Sequence, residues 1–360
     1  MSDEYRVEID QVDREQWGAL LDRFLDASLY QTWAYGAVRW DEANSSHVVL
    51  YRGEEPVAAA QARIAKLPVL GGIAHMRSGP LWRRRDAEDD LEHLRRIVCA
   101  TREEYVRRRG LVLRMIPHAF DDQPEIGDLL VSEGLVHKRG DGHTVMVDLA
   151  PPIEDIRKNL IGQWRTDLNR AERGSLEWTV GHDLDLYARF EELYAEMHDR
   201  KGFAQFVSVE RFRQLQRDLP DRFKLSIALC LHEGRPVAGA VNSVIGDAAT
   251  AIFWATSPEG RAVRGAYFLQ WRLIEHYREA GFRWYDTGGL DKESNPGTYR
   301  FKMRMAGKKP RDVWYLGEYE AAPKSVGTLL VRAGDLVRTR YRAVRERLGS
   351  RRSSRATPRS

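Results

Sequence analysis

A repeated pattern constrains the fold of this chain more than any other feature. Segment 51–64, YRGEEPVAAAQARI, is similar to segment 231–245, LHEGRPVAGAVNSVI. Each reads as a charged turn with a glycine, followed by an alternating strand. Segments 102–115 and 274–287 are also similar, since each reads as the end of an amphipathic helix, a capping glycine and a strand. Two copies of one helix-and-strand unit are the simplest account, with chance similarity of two hairpins as the alternative.

A pair of prolines marks the division between the copies. Pro151 and Pro152 interrupt both helix and ladder, so a domain boundary is expected there. Helices mixed with mostly antiparallel strands predict an α+β fold. The 360 residues are therefore divided as follows: a first domain over 1–150, a second over 151–316, a strand and basic helix over 317–348 that pack on the first domain, and a disordered basic tail over 349–360.

Composition limits the class of protein and its location. The chain is 42% hydrophobic and 10% aromatic, which is typical of a globular protein. It contains no run of about 18 uncharged apolar residues, so no membrane span is expected. The acidic N-terminal sequence lacks the apolar core of a signal peptide. Cys99 and Cys230 have no metal-ligand spacing and are expected to be buried thiols in a reducing cytoplasm.

The C-terminal residues differ in charge from the rest of the chain. Residues 324–360 contain eleven Lys or Arg but only Asp335 and Glu346, whereas the whole chain is +4. Apolar residues from Val326 to Leu348 recur at three- and four-residue steps, which predicts an amphipathic helix. A tail of this charge is expected to bind phosphate, either of nucleic acid or of an anionic membrane surface. The sequence thus predicts a cytoplasmic protein with peripheral contact at the inner face of the membrane.

Common catalytic constellations are missing from the sequence. It has no GxSxG elbow, no HExxH, no P-loop, no GxGxxG after a strand and no metal-spaced Cys/His cluster. No metal or cofactor is therefore predicted. An enzyme of this kind is expected to act by positioning its substrates and by electrostatic stabilisation.

The unit that ends in WYDTGG, residues 284–289, resembles the acyltransferase fold called GNAT. Enzymes of that fold bind the pyrophosphate of coenzyme A on a glycine-rich turn that opens a helix. The corresponding turn here begins at residue 257 and keeps Gly260 and Gly265, but it lacks the R/Q-x-x-G-x-G/A spacing. The resemblance, with this departure from it, favours an acyl donor other than acyl-CoA.

Four further motifs resemble those of the Fem-type (FemAB-like) peptidoglycan-bridge aminoacyltransferases. YQTWAYGAVRW at 30–40 is similar to their Q-x-x-x-W-G-x-x-K helix, and RSGPLW at 77–82 to their R-G-P strand. YDTGG at 285–289 is similar to Y-D-x-G-G, and YRFKMRMAGKKP at 299–310 to F-K-x-x-F-G. The resemblance covers most of residues 30–316 and implies two GNAT-like domains.

The resemblance also implies a function. The family moves an amino acid from aminoacyl-tRNA to an amine of a nucleotide- or lipid-linked cell-wall precursor. Applied to this chain, it implies a monomeric transferase in peptidoglycan biosynthesis, or one that acts on a related natural product. Two alternatives stay open: an acyl-CoA-dependent N-acyltransferase of sugar or polysaccharide precursors, and a non-catalytic protein that binds tRNA or the cell envelope.

Lys302 is the candidate catalytic residue, because it corresponds to the family lysine beside the bound substrates. It follows Phe301 in a strand-like run of aromatic and apolar residues. A fixed ammonium in a partly desolvated cleft could stabilise the oxyanion that forms during aminolysis of an ester. The alternative is an ordinary lysine that protects an edge strand from aggregation.

Two further sets of residues are predicted to bind substrates. Tyr35 stands where the family has Trp, and Arg39 where it has Lys. Asp286 is expected either to contact substrate or to cap its own turn, and Arg200 either to contact substrate or to interact with a helix dipole. The predicted substrate-binding residues are Phe301, Asp286, Gln31, Arg39, Tyr35, Trp254 and Arg200. The predicted tRNA- or phosphate-binding residues, for which a solvated charged surface is the alternative, are Lys308, Lys309, Arg311, Arg165 and Arg170.

Overall fold

Two seven-stranded sheets form the framework of the protein. The structure is a computed structural model that describes residues 4–67, 71–140, 142–201 and 208–323. The predicted C-terminal helix and basic tail lie outside these residues. The strands are β1 Tyr5–Ile9, β2 Ser45–Arg52, β3 Glu55–Leu67, β4 Gly71–Arg77, β5 Val112–Ile116, β6 Val136–Arg139, β7 His143–Asp148, β8 Leu176–Gly181, β9 Ser226–His232, β10 Arg235–Ile245, β11 Ala248–Thr256, β12 Trp284–Asp286, β13 Arg311–Trp314 and β14 Glu318–Ala321.

Helices cover both sheets. The α-helices are α1 Arg14–Leu21, α2 Trp33–Trp40, α3 Leu91–Thr101, α4 Pro124–Ser132, α5 Ile153–Asn159, α6 Gly162–Ala171, α7 Leu184–Lys201, α8 Val209–Asp218, α9 Pro258–Ala262, α10 Gly265–Glu279 and α11 Pro296–Ala306. A π-helical segment, Arg102–Arg108, continues α3, and short 3-10 turns lie at Leu29–Gln31, Glu42–Asn44 and Asp221–Phe223. Among the described residues, no helix is both long and apolar enough to cross a bilayer.

The two sheets have the same internal order, as the sequence repeat predicts. The first runs β1-β2-β3-β4-β5-β14-β6 and the second, read in the same sense, β8-β9-β10-β11-β12-β7-β13. All neighbours are antiparallel except β4 with β5 and β11 with β12, which occupy equivalent positions. The similar segments of the sequence form the equivalent hairpins β2–β3 and β9–β10. The capping glycines, Gly110 and Gly281, both adopt positive φ. The α+β fold with two GNAT-like domains is therefore confirmed.

The two domains exchange one strand. β7 lies on the first-domain side of Pro151 and Pro152, but it pairs with β12 and β13 inside the second sheet. In return β14, which follows the second copy, pairs with β5 and β6 inside the first sheet. The boundary predicted at residue 150 therefore does not follow sheet membership. Two prolines mark where the chain leaves a ladder, but they do not show which sheet that ladder belongs to.

The segment that carries Lys302 is a helix, so its prediction as a strand was wrong. The side chain of Asn295 accepts a hydrogen bond from the backbone amide of Thr298, and Pro296 occupies the first turn, where its missing N–H is not needed. Lys302, Met305 and Ala306 form the buried face of α11. Their three- and four-residue spacing is that of a helix, and it prevails over the strand propensity of the aromatic residues.

A shared hydrophobic core joins the domains. Trp17 and Phe24 come from the first copy of the repeated unit. Tyr187, Phe190 and Phe253 come from the second copy, and all five side chains are buried in one hydrophobic cluster. Each domain also has a separate core on the other face of its sheet. Because aromatic side chains contribute heavily to buried apolar area, this shared core holds the two domains against each other.

Candidate active site

The second sheet opens at the C-terminal end of β12. β12 pairs with β11 only between Ala248–Thr250 and Trp284–Asp286. β11 continues to Thr256, whereas the chain leaves β12 through Thr287, Gly288 and Gly289. At Gly288 a Cβ would lie 2.7 Å from the backbone oxygen of Ala251, and its φ is +73°, so glycine is needed for this turn. The two strands thus separate and leave a gap beside β11.

Lys302 of α11 occupies this gap. Its Nζ donates hydrogen bonds to the carbonyl oxygens of Gly289, at 2.9 Å, and Gly288, at 3.2 Å. The same atom lies 4.8 Å from the ring centroid of Trp254. The side chain is buried, and this burial lowers the pKa of the Lys302 amine from 10.5 to about 8, while nearby Asp286 opposes the shift. Lys302 is therefore a buried amine held in a fixed position by two backbone carbonyls.

Asp286 lies beneath this site and does not face the solvent. Only 1% of it is exposed. One carboxylate oxygen accepts hydrogen bonds from the Thr144 hydroxyl and, at 2.9 Å, from the backbone amide of Gly288. The other accepts one from the Tyr315 hydroxyl at 3.2 Å. The geometry matches the predicted turn-capping role and makes Asp286 a positioning residue that holds the glycine turn and acts electrostatically on Lys302.

An aromatic wall flanks Lys302. The ring of Phe301 lies 4.9 Å from Tyr267, 5.8 Å from Trp164 and 6.2 Å from Trp254. Trp164 is almost fully buried, while Phe301 and Trp254 are partly exposed. This wall keeps water from one side of the ammonium, which strengthens its interaction with any developing negative charge.

The predicted substrate-binding residues of the first domain differ in burial and in their hydrogen-bond partners. Gln31 is fully buried, and its amide bonds only to backbone groups of Gln61 and Arg77. It therefore holds the 3-10 turn before α2 against β3 and β4 of the first sheet, and its side chain has no solvent exposure. Tyr35 is buried with its ring edge-on to Tyr30 at 5.1 Å. Arg39 is exposed beside the Tyr35 hydroxyl.

The remaining predicted residues fall into two groups. Lys308, Lys309 and Arg170 are exposed and can meet a polyanion. Arg311 instead forms a two-point ion pair with Asp122, at 2.8 and 3.1 Å, so its charge is already compensated. Two more arginines bond to backbone carbonyls: Arg165 to Lys158 at 3.3 Å and Arg200 to Thr256 at 2.9 Å.

The glycine turn at the start of α10 serves packing. At Gly260 a Cβ would lie 2.0 Å from the carbonyl oxygen of Val237, and at Gly265 it would lie 3.2 Å from the Val237 side chain. Arg264, the residue before α10, forms a 2.7 Å ion pair with Asp167 of α6. A carboxylate therefore stands beside the first turn of α10, where a pyrophosphate would need positive surroundings.

Comparison with known proteins places this geometry in context. Residues 158–303 match the family model described as "Acetyltransferase (GNAT) domain". The crystal structure of FemX is similar to this chain with a TM-score of 0.75, over 91% of this chain and 99% of FemX, at 15% identity. This chain has the Fem-type GNAT fold. The resemblance noted in the sequence motifs is confirmed at this level.

A second solved structure is similar over nearly the whole chain. It is a conserved protein of unknown function from Bacteroides thetaiotaomicron, with a TM-score of 0.57, 11% identity, and coverage of 89% of this chain and 100% of that one. None of the curated proteins matches this sequence. The Fem-type fold is thus established by structure, at an identity too low to carry function across.

Two residues that contact Asp286 were missed in the sequence motifs. Tyr315 reaches Asp286 from the segment between β13 and β14, and Thr144 reaches it from the exchanged strand β7. Arg77, the first residue of the RSGPLW motif, ends β4 and lies close to Tyr315. Tyr315 lies five residues after Pro310, where the YRFKMRMAGKKP motif ends, and that proximity was a usable signal. The position of Thr144 could not be anticipated without knowledge of the strand exchange.

Replacement of Tyr315 by Phe should lower turnover modestly while preserving the fold. The Phe ring keeps the packing against Phe120, 4.8 Å away, but the Asp286 carboxylate loses one donor. A loss of roughly 3- to 10-fold in kcat is expected from one hydrogen bond to a charged group. Tyr51→Phe, on β2 and outside the site, is the matched control.

The pH profile separates a positioning role of Tyr315 from a merely structural one. Without its partner, Asp286 should act more strongly on Lys302 and raise its pKa. The descending limb of the pH–rate profile should then move to higher pH than in the wild type. An unchanged profile together with unchanged kcat would show that the Tyr315 hydroxyl plays no part in the chemistry.

Proposed function

We propose that this protein is an aminoacyltransferase that moves an amino acid from aminoacyl-tRNA to an amine of a cell-wall precursor peptide or a related natural product. The observation that carries the proposal is the buried Lys302 ammonium, held by two carbonyl oxygens in the gap between β11 and β12. The Fem-type fold and the F-K and Y-D-x-G-G motifs support it.

The proposed reaction is aminolysis of an ester. The neutral amine of the acceptor attacks the ester carbonyl, and a C–N bond forms as the carbonyl oxygen becomes an oxyanion. Lys302 donates a proton in a hydrogen bond to that oxyanion, which is the largest expected contribution to rate. The C–O bond to the ribose then breaks, and the proton lost by the amine ends on the ribose oxygen.

The geometry of the glycine turn favours tRNA over coenzyme A as donor. The ion pair between Arg264 and Asp167 lies beside the first turn of α10. Asp167 also lies close to Tyr267 in that turn. A pyrophosphate there would meet a carboxylate, whereas the exposed Lys308 and Lys309 can attract tRNA phosphates.

An acyl-CoA-dependent N-acyltransferase is the second candidate, because residues 158–303 match an acetyltransferase model. The two are separated by donor consumption. Purified protein is incubated with a mixture of charged tRNAs and a muropeptide precursor, and in parallel with acyl-CoAs and the same precursor. The proposal is supported if aminoacyl-tRNA is consumed only when the precursor is present and Lys302 is intact. Consumption of acyl-CoA without any tRNA requirement overturns it.

Removal of residues 349–360 should weaken binding to tRNA. The segment contains four arginines and no acidic residue, and each phosphate contact adds to the salt dependence of binding. Titration of fluorescent tRNA at several salt concentrations should show lower affinity and a shallower slope for the truncated chain, with an unchanged melting temperature. Equal slopes would show that these arginines make no phosphate contacts in the complex.

A further inference from the structure

One face of the first sheet carries apolar residues that join none of the hydrophobic clusters of the described residues. We call it the Val112 face; it is the side of β4, β5, β14 and β6 that bears Val112. The helices α3 and α4 pack on the opposite side of these strands. The helices α1 and α2 pack against β2 and β3, in the core shared with the second domain. No helix of the described part of the chain is therefore assigned to the Val112 face.

The register of the strands sets the apolar residues of the Val112 face side by side. Val112 pairs with Ile73 of β4, and Ile116 lies on the same side of β5. Val136 of β6 pairs with Glu320 of β14. Val112, near the middle, is only 2% exposed, whereas Val136, on the outer strand, is 59% exposed. The middle of this face is therefore covered in the folded chain, and its outer edge is open.

The charged groups of the Val112 face compensate one another. The Arg114 guanidinium donates a 3.1 Å hydrogen bond to one carboxylate oxygen of Glu320, and the Lys138 amine lies 3.3 Å from the other. Arg114 and Glu320 are both buried. An ion pair can lie under an apolar cover when each charge has its partner in place. An apolar segment can therefore cover this face without leaving a charge uncompensated.

The chain provides a segment at this place. β14 lies between β5 and β6 in the sheet, and the last described range ends at Pro323, two residues after the end of β14. A helix rises about 1.5 Å per residue and a strand about 3.3 Å, so roughly 11 helical residues match the length of β5. The predicted amphipathic helix of residues 326–348 is long enough to cross the Val112 face.

The sequence of this segment suits a protein surface better than lipid. Its apolar stripe consists of Val326, Leu330, Ala333, Val337, Tyr341, Val344 and Leu348. Gly327 and Gly334 lower the stability of a helix in isolation, so this helix needs a surface to pack on. Residues 324–360 contain no Trp or Phe, the side chains with which helices commonly anchor in a membrane interface.

We propose that residues 326–348 dock on the Val112 face and cover Val112 together with the ion pair of Arg114 and Glu320. The apolar stripe then lies against the sheet and is unavailable to lipid. Arg338 and Arg342 lie on the other side of the helix and face solvent. The tail can then meet phosphates through its charge alone.

Thiol labelling measures whether the Val112 face is covered. Val112→Cys is introduced into a Cys99→Ser chain, where the remaining Cys230 is fully buried. The thiol should react with a maleimide at least about 10-fold more slowly in the full chain than in a chain that ends at Pro323, because a covered thiol reacts only after local opening. Val7→Cys, on the exposed surface of β1, is the control and should react equally in both chains. Equal rates at position 112 in the two chains overturn the proposal.

Two variants of the full chain test the orientation of the helix. With Val112→Cys present, Val337→Asp places a charge in the apolar stripe and should raise the labelling rate at least about 10-fold, because burial of an unpaired carboxylate is costly. Arg342→Asp places the same side chain on the solvent side and should leave the rate low. If the chain that ends at Pro323 does not fold, this pair still decides. Equal rates in the two variants overturn the proposal.

Two other occupants of the Val112 face predict different results for the full chain. If a second copy of the protein covers the face, dilution should raise the labelling rate at position 112. If the stripe prefers lipid, vesicles of equal parts phosphatidylglycerol and phosphatidylcholine should raise it. A rate that changes with neither protein concentration nor vesicles supports docking of the chain's own segment. A rise with either one overturns it.

Discussion

Lys302→Met should lower turnover by roughly 100-fold or more, the scale expected when one preorganised oxyanion donor is lost. Met preserves the length of the side chain and its packing against Trp254, so the shape of the gap between β11 and β12 should persist. The measurement is single-turnover transfer with saturating donor and acceptor. KM should change little, because the ammonium acts mainly on the charge that develops in the transition state.

The fold should tolerate this change. The fall in the pKa of Lys302 from 10.5 to about 8 corresponds to an unfavourable burial of about 3 kcal/mol below pH 8. Met removes that cost and also the two hydrogen bonds to the glycine carbonyls, so the free energy of unfolding should stay equal or increase. Between pH 8 and 10.5 the unfolded wild-type chain keeps a proton that the folded chain has lost, so wild-type stability should rise with pH. The variant should lack that rise.

Lys224→Met is the matched control. The Lys224 amine also donates to two backbone carbonyls, those of Gln216 at 2.7 Å and Arg217 at 3.2 Å, but it lies outside the site. Its loss should leave turnover within about two-fold of the wild type. If both lysine variants lost activity equally, or if Lys302→Met kept near-normal turnover, Lys302 would have only a structural role.

The pH dependence distinguishes an ammonium that stabilises an oxyanion from an amine that accepts a proton. If Lys302 acts as the ammonium, kcat should fall as pH rises through about 8, where the Lys302 amine loses its proton. Lys302→Arg should retain part of the activity and lose that descending limb, because arginine stays charged. An activity that instead rises through pH 8 in the wild type alone would point to Lys302 as a general base.

Much of the fold could be predicted because it depends on local sequence patterns. The turn residues of the two hairpins indicate where each hairpin reverses. Gly110 and Gly281 mark the ends of equivalent helices, because a positive φ favours glycine. For Asp286 the motif offered turn capping as one of two possibilities, and the carboxylate accepts the turn amide of Gly288. Such features depend on neighbours within a few residues, which a single sequence displays directly.

Other features depend on contacts between distant residues. The aromatic run around Phe301 has strand propensity, but Asn295 and Pro296 start a helix and the spacing to Met305 continues it. Gln31 is a residue type that often binds ligands, but its side-chain amide forms hydrogen bonds with backbone groups of Gln61 and Arg77. Contacts with residues distant in sequence determine these features, and local propensity alone does not predict them.

Fragments cut at residue 150 should fail to fold separately and should fold together. A chain of residues 1–150 lacks β14 between β5 and β6, and a chain of 151–360 lacks β7 between β12 and β13. Each loss leaves two rows of backbone donors and acceptors unpaired in the middle of a sheet, at a cost of about 1 to 3 kcal/mol for each buried group. Thr144 of β7 also carries the hydroxyl that bonds to Asp286, so transfer activity should appear only when both fragments are present.

A second cut provides the control, because it moves only the exchanged strand. Fragment 142–360 contains β7 and can complete the second sheet, whereas fragment 151–360 cannot, although the two differ only at their N-termini. Each is expressed alone and compared by circular dichroism and thermal unfolding. The longer fragment should unfold cooperatively, and the shorter one should show no cooperative transition, even though both expose the apolar surface of the shared core around Phe190 and Phe253. A cooperative transition of equal midpoint in both would mean that β7 contributes nothing essential to the second sheet, and the interdependence of the two domains would then rest on the shared core alone.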